Sequence, residues 1–392
     1  MPLLKQNSLI SGARLEDNYS GTDDDGSVYN DGASVTSETS TIHGGDLEDG
    51  NNGVDESSKV EIFESKLKEA LELATQKSAG GRVKALESIC SAFQKRYCPD
   101  FIENQQMTTC DLVERSLKKG KASEAEAGAK LGSLLSLQLE DCEEVFKQLK
   151  PLLVQILLDK TASASSRGAV AQTLATTCFL GGGDIAEVVS IMTSLETVIS
   201  PAFTRPDQPA EISALQATAV SGWSLLLSLL SPGDAHRLAN SNITKFSGLL
   251  CSSDVDLRIT GGEAIALVLE FAYQYDEEFL PDGLDSLIES LKQLATDSTK
   301  SRSKKDRKEQ RSSFRDILRT VEDAEPPNEK VKFGQEVLYL DSWDRKLQYE
   351  WFAKVRSHSS PNKLLFADQC YPGSRVWHEP PSDQQFRPEG SL

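Results

Sequence analysis

An all-α stack of helical hairpins is what this sequence predicts, on three observations. Three helix-like segments open on an arginine and continue through small and apolar residues: Arg82-Val-Lys-Ala-Leu-Glu-Ser-Ile-Cys, Arg167-Gly-Ala-Val-Ala-Gln-Thr-Leu-Ala and Arg258-Ile-Thr-Gly-Gly-Glu-Ala-Ile-Ala. The arginines lie 85 and 91 residues apart, two periods of the roughly 40–47 residues of a HEAT or armadillo unit. Two further small-residue helical runs, 125–139 and 213–230, fall where the skipped units belong, and strand-like alternation is almost absent. The predicted fold is therefore an armadillo/HEAT-like α-solenoid with disordered termini, and stacks of this kind present binding surfaces.

In chain order, residues 1–59 form an acidic tail. Twelve acidic and three basic residues occupy positions 1–60 among Gly, Ser, Thr, Asn and Asp, too little apolar surface to offset the entropy of ordering. Within it Ser20 and Thr22 each precede an aspartate by three residues, an acidic-context kinase site in principle and otherwise part of a solubilising tail. The helical-repeat domain spans 60–298. Its first helix carries Phe63, Leu67, Ala70, Leu71 and Ala74 on one face, Gly80 and Gly81 end it, and the next begins at Arg82. Breaks follow at Pro99-Asp100, Gly120, Pro151, the Gly181-Gly-Gly-Asp turn, 201–209, Pro232-Gly233 and Pro281-Asp-Gly. The Gly181 turn reads as a C-cap followed by an Asp184 N-cap; it has no Gly-Lys-Ser/Thr and no preceding strand for a phosphate loop. Gly261-Gly262 costs about 1 kcal/mol per residue against alanine in a helix, so close packing is expected there.

Arg82, Arg167 and Arg258 are expected to pair with acidic residues or helix-end carbonyls, Asp254 and Asp256 being the candidates for Arg258. The net charge is −18, and seven scattered cysteines argue for a reducing compartment. The start lacks an apolar signal region, and no uncharged apolar run approaches 18 residues, so neither secretion nor membrane insertion is expected. The sequons at Asn18 and Asn242 then carry no meaning. None of the four histidines has zinc-site spacing, and no hydrolase motif appears. Cys90, Cys178 and Cys251 lie beside apolar helical faces as structural thiols. Neither catalytic residues, cofactor, metal nor small-molecule substrate is expected.

The second signal is basic. Residues 299–325 include nine basic and three acidic side chains between Lys300 and Arg319. Lys300, Arg302, Lys304, Lys305, Arg307, Lys308 and Arg311 are candidates for a nuclear-import signal or for contact with RNA phosphates; a solvated helix face balancing an acidic protein is the alternative. Phe314, Ile317, Leu318 and Val321 would form its apolar side. After Pro326-Pro327, residues 326–356 form an anchor region. Asp341 or Ser342 can cap a helix whose Trp343, Leu347, Trp351 and Val355 share a stripe packing it on the solenoid. Residues 357–392 form a divergent, disordered tail.

The motifs Ser166-Arg-Gly-Ala-Val-Ala, Ser221-Gly-Trp-Ser-Leu-Leu-Leu, Asp254-Val-Asp-Leu-Arg-Ile-Thr-Gly-Gly-Glu, Ser301-Arg-Ser-Lys-Lys-Asp-Arg-Lys-Glu-Gln-Arg and Leu340-Asp-Ser-Trp-Asp-Arg-Lys-Leu-Gln-Tyr occur in order across residues 60–355. In them the chain resembles the interferon-related developmental regulators. The resemblance implies an armadillo-like fold without catalytic activity, acting in nucleus and cytoplasm. The implied partners are transcriptional regulators and corepressor or deacetylase complexes, or, alternatively, inactive ribosomes. Family members continue into a second conserved stretch that residues 357–392 do not show. This sequence is therefore expected to act first as a nuclear co-regulator.

Overall fold

The computed structural model describes residues 56–205, 207–297, 303–333 and 336–356. Lys300, Arg302, Asn18, Ser20, Thr22 and the expected tails 1–55 and 357–392 lie outside the described residues. The described chain is all-helical but for one β-hairpin.

Its helices form six consecutive pairs: α1 (Glu56–Leu73) with α2 (Ala79–Lys95), α3 (Pro99–Lys119) with α4 (Ala122–Ser136), α5 (Glu143–Leu158) with α6 (Ala164–Gly181), α7 (Ile185–Ile199) with α8 (Ala210–Leu227), α9 (Pro232–Ser247) with α10 (Val255–Tyr275), and α11 (Leu284–Thr296) with α12 (Lys304–Asp323). The second helices start 42 to 49 residues apart. Each touches the next, so α2, α4, α6, α8, α10 and α12 make one continuous row, with α3, α5 and α7 in contact beside it. The basic segment is thus the second helix of the sixth pair. A β-hairpin, β1 (Glu329–Phe333) and β2 (Glu336–Leu340), leads into α13 (Trp343–Arg356).

The inner row helices α4, α6, α8 and α10 bury most of their circumference, which is why their sequences are dense in small residues. In α8, Leu215, Ala219, Trp223 and Leu226 are buried, and so are Ser213, Gln216 and Ser224. The small residues set helix separations. A Cβ on Gly262 would lie 2.9 Å from Phe314 and Ile317 of α12, and one on Gly261 would lie 2.8 Å from Leu249. Gly262 is therefore the point on which the basic helix rests, and Gly261 the point on which Leu249 rests.

Several local expectations need correction. Gly80 and Gly81 do not end α1; they lie in the first turn of α2, whose N-cap Ser78 accepts a bond from the Gly81 N–H at 3.2 Å. None of the three arginines opens its helix. Ser163 caps α6 through Ser166 N–H at 3.1 Å, and Asp254 caps α10 through Leu257 N–H at 2.9 Å. Arg82, Arg167 and Arg258 are each the fourth helical residue, behind a Ser or Asp cap that satisfies an orphan N–H. Pro151 is not a break either. It sits exposed inside α5, where water can serve the carbonyl its missing N–H leaves free. At 181–184 the C-cap and N-cap arrangement is present: Gly183 has φ +43°, and Asp184 accepts from Ala186 N–H at 3.0 Å.

The stretch opening the 326–356 region is a hairpin rather than helix, pairing Val331 with Leu338 and Glu329 with Leu340. Leu338 and Leu340 are buried and Tyr339 is exposed, a period-two pattern too short to register against the surrounding helices. Residues Ile185–Phe203 are apolar and long enough to cross a bilayer by composition. Their Val188, Ile191, Met192, Leu195, Val198 and Ile199 nevertheless pack into the protein core. Asn242 is 2% exposed on α9, which closes that sequon to modification in the folded chain. Cys251 is exposed, not buried, because it ends the 3-10 turn Gly248–Cys251.

Candidate interaction site

Each of the three arginines ties its helix to another, Arg82 and Arg258 across successive pairs and Arg167 within its own pair. Arg82 makes a two-pronged pair with Glu124 in the first turn of α4, Nε and Nη2 donating at 2.6 and 2.8 Å, while Nη1 donates to the carbonyls of Gln76 and Lys77 at 3.1 and 2.9 Å. The hydrogen bond raises the Arg82 pKa and lowers that of Glu124. Arg167 donates from Nε to Leu157 O at 2.9 Å, reaching the last turn of its partner helix α5, and burial depresses its pKa. Arg258 is 1% exposed. Its guanidinium donates to Ser252 O and, at 2.6 Å, to Gln310 Oε1 of α12, so the side chain reaches across the row. Asp254 caps the helix and Asp256 faces solvent.

Gln310 was not singled out by sequence, although it sits mid-helix among charges. It accepts from Arg258 and donates to Leu294 O and Asp297 Oδ2, both at 3.3 Å, joining α10, α11 and α12. With Phe314, Ile317 and Val321 buried against the row, the opposite side of α12 is left to its cations. Lys304, Lys308, Arg311 and Arg315 follow one another at intervals of four, three and four, which aligns them as a stripe about 16 Å long. Lys304, Lys305, Lys308 and Arg315 are exposed, and Arg307 and Arg311 half-buried. None of the six forms an ion pair among the described residues. Lys300 and Arg302 lie beyond the described start of the helix.

Helix α13 lies across the row and bonds to five of its members. Trp343 Nε1 donates to Thr320 Oγ1 of α12 at 2.8 Å, and Trp343 N–H to Glu270 of α10 at 2.8 Å. Gln348 reaches Ser228 at the end of α8 (2.8 Å), Trp351 Nε1 donates to Thr176 Oγ1 of α6 (3.0 Å), and Gln94 of α2 donates to Val355 O (3.5 Å). Phe352 packs edge-on to Phe179 at 5.5 Å. Trp343, Trp351 and Val355 are buried, whereas Leu347 is half-buried. Ser342 holds the expected cap position, its carbonyl accepting from Lys346 N–H at 3.1 Å, and Glu270 supplies the side-chain acceptor for the Trp343 N–H.

Buried charge accompanies this docking. Lys346 pairs with Glu329 of β1 and with Glu350 at 3.3 Å. Burial opposes its charge, but Glu350, Glu329 and Glu263 outweigh burial and raise its pKa. Burial, with Glu350 adding to it, holds the Glu263 carboxyl well above the usual carboxylate range despite Lys346. Burial likewise pushes Glu270 up to about 7, against the lowering effect of the Trp343 N–H. Burial raises the thiols of Cys90, Cys98, Cys110, Cys142 and Cys178 to about 12, so they are inert as nucleophiles at neutral pH. Among the described residues no group of His, Cys, Asp and Glu is arranged to hold a metal ion.

Paired helices in register, sealed by a transverse helix and bearing a cationic stripe, define an all-helical protein built around contact surfaces. The profile of the interferon-related developmental regulator family matches residues 31–322. Interferon-related developmental regulator 1 of Sus scrofa is 38% identical over 331 residues, covering 81% of this chain and 74% of that protein. Regulator 2 of Mus musculus is 38% identical over 329 residues (81% and 75%), and regulator 1 of Homo sapiens 36% over 331 (81% and 73%). A solved engineered protein aligns over 65% of this chain and 97% of its own at 13% identity and TM-score 0.39. The chain belongs to the interferon-related developmental regulator family.

Proposed function

We propose that this protein is a non-enzymatic scaffold regulating gene expression, with its six helix pairs stacked as an armadillo-like solenoid, and that it binds translationally inactive ribosomes through α12. The observation that carries this reading is the cationic stripe, exposed on a protein of net charge −18 and unpaired among the described residues. Regularly spaced ammonium and guanidinium groups suit a phosphate backbone, and because the one aromatic residue between them, Phe314, is buried, backbone contact is favoured over base stacking. Co-sedimentation of the full chain with ribosomes over a salt series tests it. Binding should weaken steeply as salt rises, because bound cations release counterions from RNA; salt-independent or absent co-sedimentation would reject it.

The alternative, a nuclear co-regulator that joins transcriptional regulators to corepressor and deacetylase complexes, is favoured by α7. Its exposed side presents Ile185 and Val189. Thr193, Ser194 and Thr197 return their hydroxyls to carbonyls four residues back. Its two carboxylates are engaged, Glu187 by Lys150 at 2.6 Å and Glu196 by Trp223 and Lys245 at 3.0 and 3.2 Å. Such an uncharged helix face suits a protein partner. On this reading α12 serves nuclear import, and neutralising its stripe would hold the chain in the cytoplasm without altering ribosome association.

A further inference from the structure

Helix α13 covers only part of the row. Beside it, the first halves of α6 and α8 enclose an open groove of about 360 Å³, within the range of ligand pockets. Gly168, Ala169 and Leu215 form an apolar floor, and Gln172, Glu211 and Lys354 stand on its rim. The side chains of these three polar residues have no hydrogen-bond or ion-pair partner among the described residues.

The two charges mark opposite ends. Gly168 faces Leu215, a Cβ on the glycine lying 4.0 Å from Leu215 Cα, so α6 and α8 run side by side here. Trp351, one turn before Lys354, bonds Thr176, one turn beyond Gln172. Lys354 therefore stands at the Gln172 end. Glu211 lies in the first turn of α8, at the other end. Eight helical residues, 164 to 172, give the groove a length of about 12 Å, enough for three or four extended residues.

We propose that this groove binds an extended peptide segment of a partner protein, with an aliphatic side chain on the Gly168–Leu215 floor, a carboxylate turned to Lys354 and a basic side chain turned to Glu211. Charge complementarity selects this occupant: a peptide offering only apolar groups would leave both rim charges beside it desolvated and unpaired. Gln172 supplies an amide for the peptide backbone. The site is separate from α12, so it goes beyond the ribosome reading and stands or fails independently.

A displayed random heptapeptide library selected on the full-length chain tests the proposal. Enriched peptides should carry an aliphatic residue between a base and an acid. Their synthetic versions should bind at least tenfold more weakly to Gly168→Leu, where the helix has room for the new side chain, and to Lys354→Glu. Replacing the peptide's acid by lysine should restore binding to Lys354→Glu. Failure to enrich any peptide, or peptides that bind wild type and both variants equally, would overturn it.

Discussion

Arg258 of α10 and Gln310 of α12, 52 residues apart, meet at 2.6 Å in the protein interior. The bond fixes the cationic helix to the row through a side chain that is itself 1% exposed. Arg258→Ala should destabilise the fold by about 2–4 kcal/mol, because it empties the buried volume of the guanidinium and removes its bonds to the Ser252 carbonyl and the Gln310 amide oxygen. Chemical denaturation measures this directly; an unchanged midpoint would show that the guanidinium contributes nothing net.

Two glycine substitutions should act in opposite directions. Gly262→Ala drives a methyl group to 2.9 Å from Phe314 and Ile317, and lifting α12 away should cost about 1–3 kcal/mol. Gly168→Ala meets nothing nearer than 4.0 Å and should stabilise by roughly 0.5–1 kcal/mol through helix propensity. Thermal unfolding of both variants under one condition checks the sign of each.

The sequence made the small-residue helices and the arginine period legible, because burial on all sides leaves a compositional mark. It did not reveal what each arginine touches. The Ser78, Ser163 and Asp254 caps lie four residues before Arg82, Arg167 and Arg258, a local signal present in the sequence but hidden by reading the arginine as the helix start. Glu124 and Gln310 are 42 and 52 residues from their arginines, and such pairings are set by tertiary packing alone. The same holds for Glu270, which caps α13 from 73 residues away.

Glu270 should make stability depend on pH. Its carboxyl has a pKa near 7 when folded, against 4.5 as the ordinary value, so the folded state holds the proton more tightly. Stability should therefore fall as pH rises from about 4.5 to 7, by on the order of 2–3 kcal/mol for this group. Glu270→Gln keeps an oxygen for the Trp343 N–H and should flatten that slope, most visibly as a higher melting temperature at pH 8 than wild type. Parallel pH profiles for the two proteins would contradict the assignment.

Trp351→Phe tests the seat of α13. Loss of the Nε1–Thr176 bond should cost about 1–2 kcal/mol. Because α13 bonds to α2, α6, α8, α10 and α12, the loss should appear in hydrogen exchange as faster exchange confined to 343–356, with the row helices protected as before.

The central claim is that the stripe on α12 is a phosphate-binding surface, and one measurement addresses it most directly. Lys304, Lys308, Arg311 and Arg315 are changed together to glutamine in the full chain, and ribosome co-sedimentation is followed from low to high salt. The four side chains point away from the Phe314–Ile317 contact, so the fold should hold, as the melting temperature will report. If each cation meets one phosphate, the slope of log affinity against log salt should shrink by about 3, with a large loss of binding at physiological salt. Equal affinity and equal slope for the variant and the wild-type chain would contradict the account.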